Sequence, residues 1–139
     1  MKKFLGVDFG EARTGLAVSD SLGLMAHGIG TVKTGGFANL IQVIKEKLAK
    51  YNIDSIVIGN PVNMNGSVGE KSNVIQMLAE RIRKELDIEV ILFDERYSTT
   101  LAHKFLNETD TRGKKRKDVI DTLSAEIILQ NYLDSISKS

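Results

Sequence analysis

Apolar positions near the start of the chain fall into two short runs divided by a polar, glycine-containing turn. Phe4-Leu5-Gly6-Val7 ends in Asp8, and Leu16-Ala17-Val18 ends in Ser19-Asp20. Short apolar runs bounded by turn signals predict strands, so residues 3–8 and 14–20 read as a hairpin. A third strand is expected within Leu24–Val32, where Gly28 and Gly30 permit a bend or bulge. Thr34-Gly35-Gly36 breaks the pattern. Leu40, Ile41, Ile44, Leu48 and Tyr51 then recur at helical spacing, which predicts an amphipathic helix over Phe37–Tyr51. Ile53–Gly59 reads as a short apolar strand, and Asn60–Lys71 as a loop around Pro61, the sole proline. Ile75, Leu78, Ile82 and Leu86 mark a helix over Ser72–Leu86, with Ser72 placed to cap it. Glu89–Phe93 is a further strand, ending in Asp94-Glu95-Arg96. Ser98–Glu108 is read as a helix capped by Ser98, and a last helix runs from about Asp118 to Ile136.

The resulting order, β-β-β-α-β-α-β-α-α, predicts an α/β fold. Its mixed sheet has three antiparallel strands and then parallel ones, joined by right-handed crossovers. No repeat or low-complexity linker divides the chain, so residues 1–139 read as one domain. In such sheets ligands sit beyond the carboxyl ends of the central strands. Asp8 and Asp94-Glu95 both fall at strand ends.

At 42% hydrophobic residues the chain can form one real core, yet no apolar run approaches the roughly 18–20 residues of a membrane span. Basic Lys2 and Lys3 are followed by Asp8 and Glu11, not by the uninterrupted apolar segment of a signal peptide. Cysteine is absent, which excludes disulfides and thiolate metal sites. A cytoplasmic protein without a membrane partner is expected. The net charge of +1 is unevenly spread. Arg112-Gly113-Lys114-Lys115-Arg116-Lys117 holds five of the 19 basic residues, which leaves 14 basic against 18 acidic elsewhere. Read as a loop before the last helix, this cluster fits contact with a phosphate backbone as well as it fits a solvated loop.

An ionised Asp is seldom buried without a partner, so Asp8 calls for a cation, donors or an exposed place at the sheet end. Asp8, Glu95 and Asp121 form the candidate acidic set. Asp118 lies three residues before Asp121 and therefore on the same helix face. Clustered carboxylates without His or Cys suit hard divalent ions. Two such ions about 3.5–4 Å apart activate water and stabilise the leaving oxygen of a phosphodiester. Each acid also has an ordinary structural role open to it. Asp8 fits a hairpin turn, Asp121 a first-turn acid facing the helix dipole, and Glu95 a surface pair with Arg96. For Asp118 an N-cap is preferred over a ligand, and Asp94 is read as ending a strand. Arg13 holds a phosphate or caps a carboxylate; Ser98 and Thr99 position a phosphate or cap a helix. Asn60, Asn63 and Asn65 read as turn chemistry, His27 and His103 as structural, and Tyr97 as packing.

Gly6-Val7-Asp8-Phe9-Gly10 with Arg13, Gly15, Ala17 and Ser19-Asp20 resembles the opening motif of the YqgF family. This family comprises bacterial proteins described as Holliday junction resolvases and as pre-16S rRNA nucleases. Gly59-Asn60-Pro61 through Gly66-Ser67 resembles its central loop, and Asp94-Glu95-Arg96 with Ser98-Thr99-Thr100 its acidic motif. Lys117 to Leu133, containing Ile120-Asp121, Ser124-Ala125 and Ile127-Ile128-Leu129, resembles its C-terminal helix. Ser124 stands where the family often has Ala. The resemblance implies an RNase H-like fold, a five-stranded mixed sheet flanked by helices, with Asp8, Glu95 and Asp121 as catalytic, metal-binding acids. Asp118 is added as a ligand only by analogy with RuvC-type resolvases, which use two acids on their last helix.

The implied activity is a Mg²⁺-dependent endonuclease, with Mn²⁺ as an alternative, acting on structured nucleic acid and leaving 5′-phosphate and 3′-hydroxyl ends. Maturation of the 5′ end of pre-16S rRNA is the favoured reading, with ribosomal particles as partners; resolution of branched four-way DNA is the alternative. The nucleic-acid-binding set comprises Arg13, Arg96, Ser98, Thr99, Arg112, Lys114, Lys115, Arg116 and Lys117, with the lysine run neutralising phosphates without reading bases. Monomer and homodimer both remain open, and resolution suits a two-fold dimer. Asp8, Gly10 and Gly15 also resemble the first phosphate loop of actin-like and sugar-kinase ATPases, although those proteins need two such domains. A non-catalytic rRNA-binding assembly factor would need the basic stretch and tolerate loss of the acids.

Overall fold

The structure, a computed structural model, describes residues 2–61, 69–94 and 113–137, the last stretch with side chains from residue 118 onward. Its strands are β1 (Phe4–Asp8), β2 (Arg13–Ser19), β3 (Ala26–Lys33), β4 (Ser55–Asn60) and β5 (Glu89–Asp94). Its helices are α1 (Gly36–Tyr51), α2 (Glu70–Leu86) and α3 (Gly113–Ser137). The sheet order is β3-β2-β1-β4-β5. β1 pairs antiparallel with β2, as β2 does with β3, while β1–β4 and β4–β5 are parallel. The expected mixed sheet is present in five strands.

Both sheet faces are covered, so the central strands read as continuous apolar runs rather than alternating ones. Leu5, Val7, Leu16, Val18, Ile56 and Ile58 face one side, against Leu40, Ile41 and Ile44 of α1 and Ile75, Leu78 and Ile82 of α2. Phe4, Ala17 and Val57 face the other, against Ala125, Ile128, Leu129 and Leu133 of α3. Each large side chain so buried contributes about 1.5–3 kcal/mol.

On the second face α3 lies unusually close to the strands. A Cβ on Gly6 would stand 2.8 Å from Leu129 Cβ, one on Gly15 only 1.8 Å from the Asp121 carbonyl oxygen, and one on Gly28 2.6 Å from Thr122 Cγ2. The register sets Gly6 opposite Ala17, and Ala17 opposite Gly28. These small residues make a floor across three strands on which the helix backbone rests.

All three helices start earlier than the sequence reading places them, and β4 runs Ser55–Asn60 where Ile53–Gly59 is expected. Helix α2 begins at Glu70 with Gly69 at its N-cap, so Ser72 is inside the helix and is not a cap. Its buried hydroxyl instead donates to Asn60 Oδ1 at 2.7 Å, which ties the end of β4 to α2 and gives Asn60 a packing role in place of turn chemistry. Helix α1 starts one residue early, at Gly36, after Gly35 in the left-handed region at φ 59°. The largest revision concerns α3, which begins at Gly113 and not near Asp118. Lys114–Lys117 therefore belong to a helix rather than a loop, and Asp118 is not an N-cap. Lys and Arg are good helix formers, although cations in a first turn oppose the helix dipole. The expected helix Ser98–Glu108 lies outside the described residues, as do Asn63, Asn65, Tyr97 and His103.

Ser124 is fully buried, and its hydroxyl has no hydrogen-bond partner among the described residues. An orphaned buried hydroxyl destabilises a fold by about 1 kcal/mol or more. Ser124→Ala is accordingly expected to raise stability by about 1 kcal/mol, read as a higher urea midpoint with an unchanged slope. A lower midpoint would reveal a bond that the hydroxyl makes.

Candidate functional site

Strand alternation places Asp8 on the same face as Gly6, the face covered by α3. In register Asp8 stands opposite Gly15, and Gly15 is where the Asp121 backbone touches the sheet. Two acids far apart in sequence are thereby brought together by one glycine. Burial is the main cause that pushes the Asp8 carboxyl from 3.8 up to about 6; Lys71 in the first turn of α2 pulls it down, and Asp121 raises it further.

Arg13, the first residue of β2, is held by a tightly built turn. The Thr34 hydroxyl donates to the Gly10 carbonyl at 2.6 Å, and the Thr34 amide donates to the Ala12 carbonyl at 3.0 Å. The Thr14 and Thr34 hydroxyls lie 2.8 Å apart, both buried. From this turn Arg13 Nε donates to Asp121 Oδ2 at 2.8 Å and lies 3.8 Å from Asp118 Oδ1. Arg13 thus caps carboxylates. The second and third turns of α3 are pinned to β3 by Thr31, whose hydroxyl donates to the Asp118 carbonyl at 2.8 Å and pairs with the Thr122 hydroxyl at 2.7 Å. Asp121 is well inside α3, so the reading of it as a first-turn acid facing the helix dipole does not hold.

The structure therefore brings Asp8 near Asp121, and Arg13 to both Asp121 and Asp118. Glu95, Arg96, Ser98, Thr99 and Arg112 lie outside the described residues, as do the side chains of Lys114, Lys115, Arg116 and Lys117. Asp94, expected to end a strand, is the last residue of β5. The strand runs parallel to β4 and β1, so it finishes at the sheet end where Asp8 finishes β1. Sequence reasoning missed Lys71, which it left at the edge of a loop, and the Thr31–Thr122 link. A signal for the glycine floor was present in Gly6, Gly15 and Gly28, one on each of three successive strands.

Among the described residues no three Asp, Glu, His or Cys side chains converge on one point. The two that approach, Asp8 and Asp121, offer only oxygen donors, and Asp8 is desolvated and repelled by its neighbour. That donor chemistry fits a hard divalent cation, which would relieve both the burial and the repulsion. Beside the acids runs a cleft of about 420 Å³ lined by Ala12, Arg13, Thr31, Val32, Lys33 and Asp118. A second cleft of about 460 Å³ shares Thr31 and Asp118 and continues along α3 past Thr122 to Glu126.

A protein of Bacillus cytotoxicus named "Putative pre-16S rRNA nuclease" is 42% identical over 139 residues, covering 96% of this chain and 98% of the relative. One of the same name from Clostridium tetani is 41% identical over 134 residues, covering 96% and 97%. Among solved structures, RuvC of Thermus thermophilus in complex with a Holliday junction substrate superposes with a TM-score of 0.61. It is 14% identical, and the match covers 100% of this chain and 98% of that one. The fowlpox virus Holliday junction resolvase gives 0.54 at 14% identity, covering 96% and 99%. At such low identity these two establish the fold, which is RNase H-like. The model of the family described as "RuvX: Holliday junction resolvase", the YqgF group of the sequence resemblance, matches residues 2–135, and the chain belongs to that family.

Proposed function

We propose that residues 1–139 work as one domain, a divalent-metal-dependent endonuclease acting on structured nucleic acid, with the 5′ end of pre-16S rRNA as its substrate. The observation that carries this reading is the buried Asp8 carboxyl held beside Asp121 at the end of the central strand, in a chain whose family and curated relatives bear nuclease names. Asp8 and Asp121, with Glu95, would hold Mg²⁺, and Mn²⁺ would serve in its place. When bound, the metal supplies an activated water and stabilises the leaving 3′ oxygen.

The chain's own residues set the conditions for that chemistry. Asp8 is half-ionised at about pH 6, so its capacity to ligate grows as pH rises through that value. Asp118, half exposed and 3.8 Å from Arg13 Nε, would be the further ligand at the rim of the site. Lys114 to Lys117 open α3, where phosphates meet both positive side chains and the positive end of the helix dipole. Arg96, Ser98, Thr99 and Arg112 would complete the phosphate-binding set. The place of action would be the cytoplasm; among the described residues no helix is long and apolar enough to cross a membrane.

The family description and the resolvase fold favour one second reading, the resolution of four-way DNA junctions by a two-fold dimer. Incubating the purified protein with precursor rRNA and with a synthetic four-way junction, each with Mg²⁺ and with chelator, separates the two. Cleavage at the rRNA 5′ end in Mg²⁺ alone, leaving 5′-phosphate and 3′-hydroxyl ends, is expected. Symmetric cutting of the junction alone would reassign the substrate, and inertness on both would remove the enzyme reading. Complementation by an Asp8/Glu95 double substitution would mark a non-catalytic assembly factor.

A further inference from the structure

We propose that Arg13 is a built-in counter-cation that occupies Asp121 until a divalent ion displaces it, and that the released guanidinium then turns into the adjoining cleft to take a backbone phosphate. The inference rests on the metal-dependent reading above. Asp121 is largely buried, at 19% side-chain exposure, and Arg13 Nε lies 2.8 Å from its Oδ2. Asp118 Oδ1 is 3.8 Å from the same nitrogen, so one guanidinium serves two acids that would otherwise repel each other. A divalent ion on Asp121 and an arginine on the same carboxylate repel each other strongly at such distances. Arginine cannot relieve this by losing its proton, so it must move.

The local architecture lets the side chain move while the backbone stays. Thr34 holds the turn through Gly10 and Ala12, and the Arg13 side chain is 34% exposed. The cleft of about 420 Å³ that it lines already carries a second cation, Lys33. A planar guanidinium with parallel donors is matched to a phosphate in a way an ammonium is not. Metal and substrate binding are thereby coupled. Without the ion Arg13 is engaged with the protein's own acids, and with it the arginine is available to nucleic acid.

Calorimetric titration of the full chain with Mn²⁺ tests the first half. Arg13→Gln is expected to bind Mn²⁺ about five- to tenfold more tightly than the parent, because it removes the competitor and leaves the acids uncompensated. Arg13→Lys should fall between the two, and it carries the comparison should the glutamine variant unfold. Equal or weaker Mn²⁺ binding by a folded variant would overturn the inference and leave Arg13 a structural residue. Absence of Mn²⁺ binding by the parent as well would overturn the metal-dependent reading together with this one.

The second half is read from binding of a synthetic structured RNA across NaCl concentrations, in Ca²⁺ before any cleavage and in chelator. The parent should show a salt slope steeper than that of Arg13→Gln by about one in Ca²⁺, and the same slope in chelator. An equal difference under both conditions would overturn the release step.

Discussion

Asp8→Asn is expected to abolish metal-dependent cleavage while making the metal-free protein more stable at neutral pH. The two effects have one cause. The Asp8 carboxyl is displaced from 3.8 to about 6, chiefly because burial disfavours its charged form. Between those values the folded protein holds the proton more tightly than the unfolded chain. Stability therefore falls as pH rises from about 4 to about 6 and stays lowered above. The full displacement corresponds to about 3 kcal/mol. Asparagine keeps the shape and removes the charge, so its variant does not incur that loss. Denaturation in chelator should show little difference between variant and parent near pH 4, and an advantage of about 2–3 kcal/mol for the variant above pH 6.5. Cleavage should meanwhile fall by about a thousandfold or more, since a neutral amide is a poor substitute for a ligating carboxylate. A folded Asp8→Asn protein that still cuts would remove Asp8 from the site. One that is no more stable at pH 8 would show that the carboxylate is compensated within the fold.

The position of Asp8 was legible because a carboxylate closing an apolar strand has few explanations. Strand direction was legible as well: a hairpin meander followed by strand–helix alternation makes the first pairings antiparallel and the later ones parallel. The start of α3 was not. Apolar positions begin only at Val119 and Ile120, where the helix meets its neighbours, and the preceding turns carry Lys114–Lys117 with nothing to mark a period. Charge there suits a loop as well as a helix, and helix propensity is the better guide. Arg13 remained open between phosphate and carboxylate because its partner is 108 residues away, and only the packing of α3 across β2 reveals it. The same distance hides the purpose of the glycines. In the sequence Gly6 and Gly15 stand only as motif positions; the register shows that they admit the backbone of α3. The basic residues, the lone Glu95 and the two helix acids were visible as candidates, yet sequence gave no measure of how near they come.

Gly15→Ala is expected to be the most damaging single-methyl change in the sheet. Its Cβ would stand 1.8 Å from the Asp121 carbonyl oxygen, 2.4 Å from the carbonyl carbon and 3.1 Å from the Thr122 nitrogen. All three are backbone atoms inside a helix, so no rotamer change can make room and α3 must lift off the strands. Lifting opens the contacts of Ala125, Ile128 and Leu129 with the second core and carries Asp121 away from Asp8. A loss of about 3 kcal/mol or more follows, or roughly 10 °C in melting temperature, with cleavage falling in whatever fold survives. Gly28→Ala is the matched comparison. Its nearest obstacle, at 2.6 Å, is the Thr122 Cγ2 methyl, which can rotate away. That rotation sacrifices the 2.7 Å hydroxyl contact with Thr31, at about 1 kcal/mol. Thermal denaturation should therefore rank Gly15→Ala well below Gly28→Ala, and both below the parent. The reverse order, or a Gly15→Ala protein as stable as the parent, would mean that α3 does not rest on β2 at this point, and the pairing of Asp121 with Asp8 would lose its structural basis.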